Sequence, residues 1–187
     1  MKTIISIAAV ILLTSALVTA QKTNDAISTQ LKSLKADKKI TLSYDADSDT
    51  SKIMVRADNF DDKETSKAGL QAMNFGMAFF YQGKTLATPP ETINLTFWVL
   101  TKKPQFAAAN NFTVTLAKET LDLGAARYAA KPGDKMEYLN FKISRTNLAR
   151  IAAAGSNVKF KLGTNDFTFT PEHLTIFKNL LTISDSH

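Results

Sequence analysis

The sequence predicts an α+β fold: an antiparallel β-sheet or two-layer β-sandwich-like core, with short helices near the N-terminus, at 144–154 and at the C-terminus. Three observations carry this expectation. Between residues 40 and 169, apolar residues alternate with polar or small ones in many short runs, the period at which successive strand side chains change faces. Three segments show helical spacing and end signals instead. No internal repeat or low-complexity linker divides the chain, so a single domain over 21–187 is expected.

The elements follow in order. Residues 24–36 put Ile27, Leu31 and Leu34 on one helical face. This reads as a helix capping the body, since three apolar anchors bind a membrane surface only weakly. After Lys38 the period becomes two, and Ile40 and Leu42 pair in pattern with Ile53 and Val55 across the polar stretch Asp45–Ser51, a hairpin signature. In residues 70–82, Met73, Phe75, Met77, Phe79 and Tyr81 share one strand face, while Ala72, Asn74, Gly76, Ala78 and Phe80 share the other. In residues 92–101, Ile93, Leu95, Phe97 and Val99 oppose Trp98 and Leu100. Apolar groups on both sides predict a strand covered on both faces. Phe112, Val114 and Leu116 give another strand, and runs 121–129 and 136–143 flank the turn pair Pro132-Gly133.

The C-terminal third reads as helix, hairpin, helix. Ser144 is a suitable N-cap for a helix through Ala154 that turns Leu148 and Ile151 inward and ends at Gly155. Val158, Phe160 and Leu162 alternate with Lys159 and Lys161, and Phe167 and Phe169 return. Thr170-Pro171 opens a last helix whose stripe is Leu174, Phe177 and Leu181.

The first twenty residues have the pattern of a secretory signal: Lys2, an apolar core over Ile4–Leu13, and Val18-Thr19-Ala20 as a small-residue cleavage site. The apolar run is shorter than the roughly 20 residues a spanning helix needs. Removing residues 1–20 takes away Lys2 alone and leaves 22 Lys and Arg against 17 Asp and Glu, a net charge of +5. That bias permits weak attraction to anionic surfaces. No dense basic run of the nucleic-acid type is present. The absence of cysteine rules out disulfides and a thiol nucleophile, and with the short signal it suggests a bacterial chain. The sequons Asn94-Leu95-Thr96 and Asn111-Phe112-Thr113 then carry no consequence.

Catalytic motifs fail one by one. Gly83-Lys84-Thr85 resembles the end of a P-loop, but the first glycine of that motif should stand at Ala78, and Pro89-Pro90 opposes the helix it requires. Asp45, Asp47 and Asp49 suggest a calcium loop, yet Thr50 and Arg56 occupy the positions that need glycine and glutamate. A second acidic group, Asp58, Asp61, Asp62 and Glu64, lies beyond a strand. Ser156 and Lys159 match Ser-x-x-Lys, but on a strand they point to opposite faces. His173 and His187 are too few for a histidine-rich zinc site. Glu91, Glu119, Asp122 and Glu137 lie near strand ends, where two could meet as a hydrolytic pair.

The stretch LARIAAAGSNVKFKLGTNDFTFTPEHLTIFKNLL, residues 148–181, resembles the ending of exported bacterial β-rich proteins. In those, a short helix precedes a basic, alternating hairpin and a closing amphipathic helix. The resemblance implies that arrangement and no activity or site.

These readings lead to an exported bacterial protein, periplasmic or secreted. Its expected role is a non-catalytic binding or interaction module of the cell envelope, partnered by an envelope protein or a small apolar ligand. No nucleic acid, cofactor, metal or stable membrane span after signal cleavage is expected. Two alternatives stand beside it. One is an apolar-ligand (lipid) carrier using Phe75, Phe79, Tyr81, Phe97 and Trp98; the other is a carboxylate-dependent hydrolase of envelope polymers.

Overall fold

The structure, a computed structural model, describes residues 21–36, 38–56, 59–117, 119–130, 133 and 135–185. The expected signal at 1–20, Asp58, Pro132 and His187 lie outside the described residues. In chain order the elements are β1 (Lys22–Thr23), α1 (Asn24–Ser33), β2 (Ile40–Asp45), β3 (Thr50–Arg56), α2 (Asp62–Lys67), β4 (Leu70–Gln82), β5 (Thr85–Leu86) and β6 (Thr92–Thr101). They continue as β7 (Asn111–Leu116), β8 (Glu119–Ala125), β9 (Arg127–Ala130), β10 (Met136–Ser144), α3 (Arg145–Ala153), β11 (Val158–Leu162), β12 (Asn165–Phe169) and α4 (Pro171–Ser184).

The α+β expectation holds, and the centre is two packed antiparallel sheets. One has six strands in the order β2-β3-β4-β6-β10-β9, and the other has four in the order β12-β11-β7-β8. β1 and β5 form a separate short pair. The inner faces meet through phenylalanines. Phe97 of β6 lies 5.5 Å from Phe112 of β7 and 5.7 Å from Phe160 of β11, and Phe75 of β4 lies 5.7 Å from Phe169 of β12. Edge-to-face and stacked rings, as in these pairs, are the preferred geometries of aromatic contacts. A single buried cluster runs from Ile27 to Ile183.

Local chemistry explains most element ends. The Thr23 hydroxyl caps α1 by accepting from the Ala26 N–H, and Ile27 and Leu31 are buried while Leu34 is half-buried. Ser144 caps α3 at Asn147, burying Leu148, Ile151 and Ala152. Thr170 caps α4 with Pro171 in its first turn, and the His173 ring completes a capping box by accepting from the Thr170 N–H. The α4 stripe is wider than its pattern predicts: Leu174, Ile176, Phe177, Leu180 and Ile183 are buried, whereas Leu181 is half-buried. Lys22 then ties the start of the domain to its end. Its ammonium donates to Thr182 O and Ile183 O, both at 3.3 Å. Burial lowers the Lys22 pKa below the ordinary lysine value, partly offset by Asp185.

Three expectations change. The run 121–129 is two strands: β8 pairs with β7, the chain changes sheets at Ala126, and β9 pairs with β10. A register shift in β7–β8 and a hydrogen bond from Ala126 N–H to Asn110 O accompany the crossing. Helix α2 was not expected, because Thr65 is its one buried residue and no apolar stripe marks it. It is held by its Asp61 cap and by Glu64, which accepts from Thr168 N–H and Oγ1. Gly83, by contrast, bears out the reading against a P-loop. At φ +71° it makes the turn from β4 into β5, donating to Asp49 O, and a strand follows where the motif needs a helix.

The third change concerns β6. Trp98 and Leu100 are half-buried on the outward face, not buried under a second layer. Trp98 stands opposite Asn74 in the ladder and leans diagonally over Gly76. A Cβ built on Gly76 would lie 2.8 Å from the indole Cζ3 and 2.9 Å from Val55 O. Glycine is therefore required for the indole to lie down on the sheet. Gly76→Ala should destabilise the fold by about 1–3 kcal/mol, the usual cost of overpacking. It should also shift the emission of Trp98, the one tryptophan in the chain. Urea unfolding followed by tryptophan fluorescence reads both effects; unchanged emission would show that the indole does not rest there.

Candidate functional site

The outward face of the six-stranded sheet collects what the core leaves out. Eleven of the twelve phenylalanines are buried, but Phe80 of β4 is 54 % exposed. Lys52 of β3 sits beside it, with its ammonium 5.6 Å from the ring centroid, a cation–π distance. Phe80 and Trp98 border one open groove of about 260 Å³, whose rim also includes Lys52, Met54, Asn94 and Thr96. Neighbouring grooves share these walls. One of about 440 Å³ lies between Arg56, Asn74, Trp98 and Met136. Another of about 470 Å³ reaches from Asn94 to Arg127 and Lys142. A third, of about 270 Å³, runs from Phe80 and Lys52 to the β2–β3 turn. Together they cross the sheet.

The electrostatics of this face are one-sided. Strand alternation places Lys52, Arg56, Arg127 and Lys142 on it. Among the described outward strand positions the one carboxylate is Asp45, at a corner. Asp45 is occupied by its own loop, accepting from Asp47 N–H and Ser48 Oγ, and these bonds lower its pKa. The described ion pairs lie elsewhere: Lys39–Glu172, Arg145–Asp185, Arg150–Glu119 and Lys161–Asp166. One polar atom of the face also lacks a partner: Asn74 Oδ1 is buried without a hydrogen bond.

The aromatic residues singled out in sequence are divided between two faces of the sheet rather than gathered around one pocket. Phe75 and Phe97 pack into the inter-sheet layer, and their rings are 6.2 Å apart. Phe79 is buried 6.2 Å from Tyr81, whose hydroxyl bonds Asn24 Oδ1 at the other end of β4. Trp98 faces the opposite way. The acids also have separate tasks. Glu119 pairs with Arg150 beside an open cleft of about 650 Å³ that Ser156 and Lys159 also line. Asp122 accepts from Gly124 N–H in the β8 bend. Glu91 is exposed. Asp49 accepts from Tyr44 Oη and Gln82 Nε2; these bonds lower its pKa, while the Tyr44 phenol is raised. His173, the one histidine among the described residues, is buried in its capping box, 5.0 Å from the Phe60 ring. Among the described residues no three His, Asp or Glu side chains converge as a metal site.

Glu137 is the acid whose role the sequence concealed. It is 1 % exposed. Its carboxylate accepts from the Gln105 N–H at 3.0 and 3.1 Å, the Phe106 N–H at 3.0 Å and Thr101 Oγ1 at 3.1 Å. Burial and this neighbouring carboxylate raise the Tyr128 phenol above its ordinary pKa. Strand alternation showed only that Glu137 lies on the same face as Leu139 and Phe141. That signal, an acid in an apolar row, could have marked it as a structural ligand for the β6–β7 connection.

The chain matches no protein-family model, no curated protein and no solved structure.

Glu137→Ala would leave two backbone N–H groups and a hydroxyl without their acceptor. It should lower unfolding free energy by about 1–3 kcal/mol, the cost of a buried unsatisfied group, and Glu137→Gln by less. Denaturant titration checks this, and equal losses in the two variants would show that the carboxylate's hydrogen bonds are not what holds the connection.

Proposed function

We propose that this chain is an exported, non-catalytic binding module of the bacterial cell envelope, and that it works through the outward face of its six-stranded sheet. The observation that carries the proposal is Phe80. A fold that buries eleven phenylalanines leaves the twelfth more than half exposed, beside Lys52 and across a groove from Trp98. Exposed apolar groups inside a polar rim are characteristic of interaction sites, and aromatic anchors dominate binding energies. The signal-like residues 1–20 support the exported setting.

The readings as a lipid carrier or a hydrolase draw less support. The inner aromatics are in ring contact with one another, and the candidate acids are engaged separately.

The test is co-sedimentation of the purified protein with washed cell-envelope material from its own cells. The wild type should pellet with the envelope, and the Phe80→Ser/Lys52→Glu variant should stay in the supernatant. Both substitutions are on the surface, so each should leave stability within about 0.5 kcal/mol of wild type. Equal pelleting of a well-folded variant would remove this face from the function. Release of soluble polymer fragments by the wild type would favour the hydrolase.

A further inference from the structure

We propose that the ligand of this face is an anionic polysaccharide, lying along the grooves beside Trp98. The inference rests on the reading of this face as the working surface, and it adds the chemistry of what binds.

Four features of the face converge on that class. The first is shape. The grooves are open, adjoin one another and cross six strands. Five inter-strand spacings of about 4.8 Å give a track of about 24 Å, which suits a run of sugar rings better than one small molecule. The second is an aromatic platform. Trp98 is half-buried with the Cζ3 edge of its indole over Gly76, and the residue borders the groove. The C–H face of a pyranose stacks on such a surface. Phe80 offers a second ring at the far side of the same groove.

The third feature is an acceptor. Asn74 Oδ1 is buried and unpartnered, in the groove that Trp98 and Arg56 also line. A buried acceptor without a donor is unfavourable, and a turn of the Asn74 amide toward the groove would let a sugar hydroxyl satisfy it. The fourth is charge. Lys52, Arg56, Arg127 and Lys142 have no ion pair with a described carboxylate, and Asp45 is engaged in its own loop. Arginine binds carboxylates in a bidentate fork, and a single-sign face attracts a polyanion. The same charge disfavours pairing with a second copy of the face, because like charges would meet.

The experiment follows Trp98 fluorescence, and calorimetry in parallel, as the purified protein is titrated at low salt. The probes are polygalacturonate, alginate, hyaluronan, methyl-esterified polygalacturonate and single-stranded poly-dT. At least one of the three acidic polysaccharides should bind, shift the tryptophan emission and weaken with added salt. Arg56→Gln should weaken that binding by about tenfold or more, the effect of losing one charge-assisted hydrogen bond. Asn74→Leu should weaken it independently of salt. If polygalacturonate is the ligand, its ester should bind at least as weakly as the Arg56 variant binds the acid.

Failure of all three acidic polysaccharides overturns the inference. So does equal binding of poly-dT, which would show only a polyanion surface. If no polysaccharide binds while envelope pelleting still depends on Phe80 and Lys52, the module reading stands and the glycan is wrong. If pelleting also fails, both fall.

Discussion

The fold depends on a layer of phenylalanine rings between two sheets. Phe160 and Phe169 stack at 4.2 Å, and Phe60 lies within 5.5–6.2 Å of five other phenylalanines. Each such ring buries about 150–250 Å² of apolar surface. In a chain without cysteine, this layer takes the place a disulfide framework holds in many small domains. It also fixes the direction of each strand's faces. Once Phe75, Phe79 and Phe97 point inward, Gly76, Phe80 and Trp98 must point out, because a strand's period is two. The outward face is thus set by the core.

Much of this was legible because it is local. Period-two runs located the β2–β3 hairpin, β4, β6 and the β11–β12 hairpin, with β4 and β6 matching residue for residue. Caps located α3 and α4. What was not legible comes from contacts remote in sequence. Helix α2 is polar, and Glu64 reaches Thr168 at 104 residues' separation. Phe60 and Phe106 are buried from irregular segments where no period operates. The crossing at Ala126 is hidden because both halves of the run are extended, and only their partners differ.

The face itself needed the strand order. Its cations are at 52, 56, 127 and 142, on strands spread over about half of the chain. Sequence alternation placed each residue on one side of its own strand but not the strands beside one another. Trp98 was misjudged for a related reason. An apolar residue on a strand's second face usually means a covering layer. Here a glycine on the adjacent strand provides the cover, since the indole buries part of itself against bare backbone.

That arrangement has an energetic consequence which bears on function. Unpaired like charges on one face repel one another weakly, and an exposed phenylalanine gains little from folding. Neither feature strengthens the body of the protein. Elsewhere the described chain does pair its charges, at Arg145–Asp185 and Arg150–Glu119, and it buries its rings. The four described ion pairs lie off this face, and the eleven buried phenylalanines lie in the body rather than on it. A ligand supplying negative charge and an apolar face would offset both penalties together, at a site where Trp98 already packs against Gly76. Because the platform is built before the ligand arrives, little ordering remains to oppose binding.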